Sequence, residues 1–326
     1  MGLIRNIFMC LAIFAIATSC EKRGDPDLHV DTVPLSFVSP SIVESKAAVI
    51  PEEGNFPFSH DAYPIGLWLM QKDSKTVPQI EGFDNLKSEY LIADGMNNWK
   101  YYPFGTDQDS ETTLHILQKR PIDIYAYYPW VSDATDITAI SFDSGQDDWM
   151  IAAPVKIDAE DTESEVHVRL DFQHIMTCIE VGITCLYEGS ISLTSMTLTD
   201  SKGRLVASGT FDCTTGQITG ASGSSITISP NMALRGGYRI PVYIIMPSVS
   251  GLDLSAGEMT LSFMFNGIDA ETKFILPAKM NGSTESVTEF KKGYRYIYNL
   301  TLDNTMDFIP VGVEKLWTTE EIVLPI

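Results

Sequence analysis

Apolar residues recur at every second position in many short segments of this chain, and that period restricts its fold. In Ile122–Tyr128 and in Val166–Phe172 the even-numbered positions are apolar and the odd-numbered ones are mainly polar or aromatic. Successive side chains of a β-strand point to opposite faces, so each segment predicts a strand with one face in a core. Met259–Phe265 and Tyr294–Leu302 alternate in the same way, whereas Ile240–Met246 is apolar on both faces, as a central strand is.

Turn sequences with glycine separate these segments. Each supplies a residue that accepts a positive φ, and the predicted turn glycines are Gly203, Gly216, Gly237 and Gly293. Short strands between frequent turns, with little helical periodicity, predict a mostly β chain of antiparallel β-sandwiches. The apolar phase changes after Gln173, which predicts a bend or an inserted residue near Gln173–His174, such as a β-bulge.

The N-terminus has the three parts of a secretory signal. Arg5 precedes an apolar run from Ile7 to Ala17, and small residues then lead to Cys20. The run is shorter than the roughly 20 residues that cross a bilayer. Residues 17–20 resemble a bacterial lipobox, which predicts a lipoprotein with palmitate-type acylation of Cys20 and anchoring in the outer membrane, exposed at the cell surface. The alternative is an ordinary signal peptide that contains a cysteine.

The charge and the polar residues argue against several classes of function. Acidic residues number 43 against 22 Lys and Arg, and a net charge of −21 predicts repulsion of nucleic acids. The five histidines lack the spacing of metal ligands, and no nucleophile elbow or phosphate loop occurs. We therefore expect no catalytic residues, no metal, no cofactor and no enzyme activity. His174 is interpreted as a hydrogen-bonded structural residue.

Two further groups of polar residues have simpler interpretations. The segment from Asp107 resembles a calcium loop but lacks its glycine and its final glutamate. Asp158–Glu165 contains five carboxylates and is interpreted as a solvated loop, with a surface calcium site as the alternative. After Cys20 only three cysteines remain, which is too sparse for a disulfide framework. We expect them to pack as small apolar residues, although a Cys178–Cys185 bridge is an alternative.

Several aromatic residues permit two interpretations. Core packing is expected because Trp68 lies within an apolar strand. A sugar-stacking platform is the alternative, and it would make the chain a glycan-binding surface lipoprotein. The aromatic residues concerned are Trp68, Trp99, Tyr101, Tyr102, Trp130 and Trp149.

The length favours two domains, because single cores stop growing near roughly 250–300 residues. We predict a signal peptide over 1–19, a lipidated tether over 20–33, an N-terminal sandwich over 34–187 and a C-terminal sandwich over 188–326. The boundary is placed at Leu186–Ser190, between two strand-like segments.

An ordered series of short motifs resembles the fimbrillin-like family of Bacteroidales, which contains pilins and pilus-associated lipoproteins. The motifs are Ser19-Cys20, Phe37–Ala47, Tyr63–Trp68, Asn98–Pro103, Ile124–Pro129, Asp148–Ala153, Leu170–Met176 and Phe290–Tyr296. The resemblance implies two tandem antiparallel β-sandwich domains of transthyretin-like type and a role as a structural, anchor or tip subunit of surface fimbriae.

The resemblance also implies assembly with other fimbrial subunits by strand exchange. In such pilins a protease removes an N-terminal strand and a neighbour's C-terminal strand fills the groove. Cleavage usually follows arginine, but none occurs between Arg23 and Arg120, so Lys46 is the candidate processing site. An uncut chain would keep its lipid and act as an anchor, a tip component that binds a host or microbial ligand, or a stand-alone lipoprotein.

Two more features follow from the resemblance. Residues 305–326 contain the candidate donor strands, or they complete the C-terminal domain of their own chain. Asp31-Thr32-Val33 resembles the short acceptor motif for O-glycosylation in these bacteria, which makes Thr32 the candidate glycosylation site.

Overall fold

The structure, a computed structural model, describes residues 31–38, 41–42, 64–93, 96–102, 113–187, 189, 191–267, 271–279, 286–303 and 308–316. Within these ranges, two short 3-10 helices, Ala159–Glu163 and Leu254–Ala256, interrupt a series of strands. The strands are β1 (Thr32–Phe37), β2 (Ser41–Ile42), β3 (Ile65–Gln71), β4 (Leu86–Ala93), β5 (Met96–Tyr102), β6 (Leu114–Leu117), β7 (Ile122–Tyr128), β8 (Ile140–Asp143), β9 (Met150–Ala152), β10 (Val155–Ile157), β11 (Val166–Val168), β12 (Asp171–His174), β13 (Thr177–Cys185), β14 (Ile191–Asp200), β15 (Leu205–Phe211), β16 (Ile218–Gly223), β17 (Ser225–Ile228), β18 (Met232–Leu234), β19 (Arg239–Met246), β20 (Val249–Ser250), β21 (Met259–Phe265), β22 (Thr272–Ile275), β23 (Glu289–Phe290), β24 (Arg295–Leu302) and β25 (Phe308–Leu316).

The N-terminal sandwich is formed by two sheets. A three-stranded sheet of order β11-β1-β6 faces a larger sheet of order β2-β12-β9-β7-β3-β4-β5, on which β10 pairs with β7. The core between them takes alternate residues from both sheets, including Leu35 of β1, Leu67 of β3 and Ile124 of β7. The predicted alternation therefore supplies this core.

The C-terminal sandwich has the same two-layer arrangement. A sheet of order β19-β13-β24-β25 faces a sheet of order β17-β14-β21-β22, on which β18 also pairs with β14. Ile179 of β13, Leu198 of β14 and Tyr298 of β24 are among the residues that fill its core. A small pair, β20 with β23, lies beside these sheets.

A third apolar cluster joins the two sandwiches, and we call it the junction core. It packs Tyr125 and Tyr127 from the outer face of the larger N-terminal sheet against Phe211 and Cys213 of the C-terminal half and Ile245 of β19. Strand β15 also pairs directly with β8, from Ser208 opposite Asp143 to Phe211 opposite Ile140. The two halves therefore share both a hydrophobic core and a strand pairing.

Most strand and turn predictions are confirmed. Strand β7 has the predicted bounds, and the alternation in 166–172 gives buried even positions beside more exposed odd ones. The four predicted turn glycines all adopt positive φ, from 68° to 80°. The predicted antiparallel arrangement is confirmed for most pairings, but three pairings of described strands are parallel: β1 with β11, β2 with β12, and β13 with β24.

The phase change near Gln173–His174 is a bend between two strands. The pairing of β12 with β9 is regular through His174, so the predicted bulge is absent there. The chain then leaves the N-terminal sheet and enters β13 at Thr177. Strand β13 comes before the predicted domain boundary at residue 187, yet it pairs with β19 and β24, which come after that boundary. We therefore propose a domain boundary near Ile175–Met176. The exact division stays a prediction.

The three cysteines in the described residues are free and buried. Burial raises the pKa of Cys178 and of Cys213 well above the usual thiol range. Cys178 and Cys213 lie in the junction core, whereas Cys185 lies in the C-terminal core. The expectation of small apolar packing residues is confirmed, and no Cys178–Cys185 bridge forms.

Candidate strand-exchange groove

Strand β1 lies in the middle of its sheet although it comes from the N-terminal end of the described chain. It runs antiparallel to β6, with Thr32 opposite Leu117, and parallel to β11, with Leu35 opposite Val166. Its ends are held as well, because the Val38 amide donates to the Val168 carbonyl at 2.9 Å. A strand with partners on both edges has few backbone groups left for water.

The inward side chains of β1 fill a groove between the two sheets. Val33, Leu35 and Phe37 are 5%, 0% and 6% exposed. Burial of side chains of this size contributes roughly 1.5–3 kcal/mol each. These three contributions add up within one short strand. Apolar contacts alone therefore hold β1 strongly in the groove.

Aromatic residues of β5 form the end of the groove. The ring of Phe37 lies 5.5 Å from that of Trp99 and 6.1 Å from that of Tyr101, measured between centroids. The Trp99 indole N–H donates to the Val38 carbonyl at 3.3 Å. Burial raises the pKa of Tyr101, an effect that a hydrogen bond with the Phe37 backbone partly offsets. These contacts set the position at which β1 ends.

The outward side chains of β1 make polar contacts with β11. The Ser36 hydroxyl lies within hydrogen-bond distance of His167 Nδ1, and His167 Nδ1 is 4.0 Å from Glu165 Oε1. Pro34 lies opposite His115, and the pairing with β11 begins only at Leu35. Proline therefore occupies a position before the second ladder starts, where its missing N–H costs little.

Two of the predicted modification sites lie outside the described residues: Cys20 and Lys46. Thr32 is the exposed first residue of β1, opposite Leu117. The roles of all three residues stay predictions. The sequence indicated a strand near residues 34–38, but the partners β6 and β11 could not be identified from local pattern.

The first part of the predicted donor segment pairs within its own chain. Strand β25 runs antiparallel to β24, with Phe308 opposite Leu302, and the register shifts between Asn299 and Leu300. Residues 317–326 lie outside the described residues. The segment 308–316 thus extends a C-terminal sheet, and donation by the remaining tail stays a prediction.

The aromatic residues mostly pack as predicted. Trp68, Trp99 and Trp149 are buried, and so is Tyr101, whereas Trp130 is half-buried. A sugar-stacking platform built from this set is therefore not formed. His174 is buried, and its Nδ1 lies 2.8 Å from Asp148 Oδ2, but the geometry of this contact is not that of a hydrogen bond. Its interpretation as a hydrogen-bonded residue stays a prediction.

The acidic segment 158–165 forms the 3-10 helix Ala159–Glu163 and its flanks. Within the ranges that the structure describes, no three His, Cys, Asp or Glu residues are grouped as metal ligands. The helical segments of those ranges also include none with the length and apolar character needed to cross a bilayer.

A comparison with known families matches most of the chain. The family model described as fimbrillin-like matches residues 58–317. The chain belongs to the fimbrillin-like family. Among curated proteins no sequence match is found. The family of this fimbrillin-like chain is therefore identified by the family model, and its fold can be compared with those of solved structures.

Three solved structures show the same fold, and each is described as a proposed cell adhesion protein. The one from Bacteroides uniformis ATCC 8492 has a TM-score of 0.55 and 16% identity over 88% of this chain and 98% of that one. Those from Bacteroides ovatus ATCC 8483 and Bacteroides fragilis NCTC 9343 have TM-scores of 0.53 and 0.54, with 16% and 12% identity. They each match 90% of this fimbrillin-like chain, and the matches cover 99% and 100% of their own lengths.

Proposed function

We propose that this fimbrillin-like protein is a fimbrial subunit that is displayed at the cell surface and assembles by exchange of strand β1. The observation that supports this most directly is the position of β1. It is a short N-terminal strand in the middle of a sheet, with three side chains buried in the N-terminal core. Such a strand can be replaced by another of the same alternation without changing the rest of the sandwich.

Loss of β1 would leave a strong binding site. The facing edges of β6 and β11 would lose their backbone partners, and the apolar groove would be open to water. Both losses favour the addition of a new strand. Lys46 follows β1 and β2 in the sequence, so cleavage there would release both strands in one fragment.

The proposed donor is the tail of a neighbouring copy. Ile322, Leu324 and Ile326 alternate with Val323 and Pro325, as Val33, Leu35 and Phe37 alternate with Pro34 and Ser36. Since β25 pairs with β24 of its own chain, the donor strand comes after residue 316. A deletion of 305–326 would also remove β25, so a deletion of 317–326 tests donation more specifically.

We expect the cleaved protein to form ladders that resist detergent and disappear on heating. Lys46→Ala should prevent cleavage and abolish the ladder, and deletion of 317–326 should permit cleavage but still abolish it. Denaturing gels with unheated and heated samples measure both. Lys156→Ala, which removes an exposed lysine elsewhere, is the matched control. A normal ladder from either test variant contradicts strand exchange by this route.

We further propose that a lipid on Cys20 anchors the uncleaved form in the outer membrane. Labelling with radioactive palmitate should mark the wild type and should not mark Cys20→Ala, because thioether-linked acylation needs the thiol. The variant should move from the membrane fraction to the soluble fraction. Equal labelling of both proteins would show that the lipid is elsewhere.

A further inference from the structure

Strand β1 and the proposed donor segment each contain one proline between apolar residues. Val33-Pro34-Leu35 lies in β1, and Leu324-Pro325-Ile326 lies in the tail that follows β25. In β1 both neighbours of Pro34 are buried, so the proline is in the outward phase of the alternation. Proline has no N–H, which restricts its position in a strand that is paired on both edges. The two prolines therefore bear on how a donor aligns with the place of β1.

The backbone amides of β1 point alternately to its two neighbouring strands. The Val38 amide donates to the Val168 carbonyl at 2.9 Å, and the bonds that one strand makes in a parallel ladder repeat at every second residue. The Ser36 amide therefore faces the Val166 carbonyl, where the pairing of β1 with β11 begins. No amide is needed at Pro34, because it precedes that ladder. Among these outward positions, Ser36 requires an N–H and Pro34 does not.

Two alignments bury at least two apolar residues of the tail. In the first, Pro325 takes the place of Ser36, and the Val166 carbonyl loses its donor in the middle of a sheet. In the second, Pro325 takes the place of Pro34, and every bond of both ladders is kept. The first brings an isoleucine to the site of Phe37, which it fills only in part. Neighbouring side chains can close part of such a gap, whereas a carbonyl inside a sheet has no other partner. The second alignment is therefore favoured.

The end of the groove at which the donor would enter is held in place without β1. Gln79, between β3 and β4, is 7% exposed. Its side chain accepts from the Leu117 amide at 3.1 Å and donates to the Arg120 carbonyl at 3.3 Å. A cavity of about 420 Å³ beside these residues leaves room for the chain that precedes the donor strand. The last residue of β6 is thus a fixed point for the register of a donor.

The chain between β25 and the donor strand is long enough to reach a neighbouring groove. Strand β25 ends at Leu316, opposite Arg295 at the start of β24. In the favoured alignment, residues 317–322 connect Leu316 to Val323 and span at most roughly 25 Å when extended. The mouth of the groove in the neighbouring copy must therefore lie within that distance of the end of β25.

We propose that Pro325 of a neighbouring copy takes the place of Pro34 and so sets the register of the exchanged strand. Its apolar neighbours, Leu324 and Ile326, then take the two inward places beside Pro34. The occupant of this part of the groove is thus the segment 323–326 of a second copy. The inference rests on the proposed strand exchange, and it adds the alignment and the residue that selects it.

Cysteine cross-linking distinguishes the two alignments in the polymer of the cleaved protein. Val323→Cys is combined in one chain with Leu117→Cys, at the position opposite Thr32, or with His115→Cys, at the position opposite Pro34. The proposed alignment brings Val323 opposite Leu117, and the other alignment brings it opposite His115. Both are non-hydrogen-bonded pairs, since the bonded pairs of this ladder involve the odd-numbered residues of β1. Backbone geometry therefore favours neither disulfide.

We expect the Val323–Leu117 pair to cross-link at least about tenfold faster than the Val323–His115 pair. Its ladders should persist on heating until a reductant is added. Val323→Cys with Lys292→Cys is the matched control, because Lys292 is exposed outside the groove, and its ladders should still disappear on heating. Adding Pro325→Ala should accelerate cross-linking to His115→Cys, because alanine supplies an N–H at either place.

The proposal is overturned if the Val323–His115 pair cross-links at least as fast as the Val323–Leu117 pair. It is also overturned if ladders form but neither pair cross-links, or if the product is a cross-linked monomer, in which the tail fills the groove of its own chain. With ladders present, a wrong register leaves strand exchange standing. If the cleaved parent forms no ladder, strand exchange itself fails and the register fails with it.

Discussion

Leu35→Asp is expected to displace β1 from the N-terminal sandwich and to lower the free energy of unfolding by at least about 4 kcal/mol. Leu35 is fully buried at the centre of β1, between Leu114 of β6 and Val166 of β11. The substitution removes apolar burial and places a carboxylate where no cation is available among the groove residues. Because natural domains have roughly 5–15 kcal/mol of stability, this loss is a large part of the total.

Urea unfolding followed by tryptophan fluorescence measures the effect, since Trp99 contacts the end of β1. Val38→Asp is the control: Val38 is adjacent to the same strand but 44% exposed, so the change should cost less than about 0.5 kcal/mol. If Leu35→Asp unfolds at the wild-type urea concentration, β1 does not contribute to the core, and the groove has no energetic basis.

Phe211→Ala is expected to uncouple the two sandwiches. Phe211 is fully buried in the junction core, with its ring centroid 5.9 Å from that of Tyr127 and 5.6 Å from that of Trp149. Removal of a buried phenylalanine costs about 3–5 kcal/mol, and here the loss falls on contacts between the halves. The wild type should unfold in one transition, whereas the variant should unfold in two.

Two probes distinguish these outcomes. Four of the five tryptophans, at positions 68, 99, 130 and 149, lie in the N-terminal half. Fluorescence therefore reports mainly that half, and far-ultraviolet circular dichroism reports both. The two curves should coincide for the wild type and separate for Phe211→Ala. Phe263→Ala is the control, because it removes an equally buried ring from the C-terminal core. If its curves separate to the same extent, the junction is not the specific coupling element.

Local sequence patterns predicted the strands well, because the alternation that marks a strand is visible in neighbouring residues. Alternation in 122–128 gives the bounds of β7, and each turn glycine needs only its own φ. The same alternation did not predict that the second face of β7 is also buried. Tyr125 and Tyr127 were assigned to an aromatic or polar face, yet all seven residues of the strand are buried, because the junction core covers that face too.

The candidate groove could not be predicted from any local segment of the sequence. The pairing of β1 with β11 joins residues about 130 positions apart, such as Ser36 and Val166, and the pairing of β8 with β15 crosses between the halves. The family resemblance supplied the expectation that an N-terminal strand is exchanged. It could not indicate that β1 is parallel to one partner and antiparallel to the other, since side-chain alternation is the same in both directions.

The three buried thiols have a consequence for the conditions in which the protein works. Only a thiolate attacks a disulfide or reacts readily with an oxidant, and the raised pKa values of Cys178 and Cys213 keep these groups protonated. In the folded protein, these two thiols therefore have little tendency to oxidise or to exchange with disulfides. Because the described cysteines form no disulfide, the packing of this part of the chain should not change when a reductant is added.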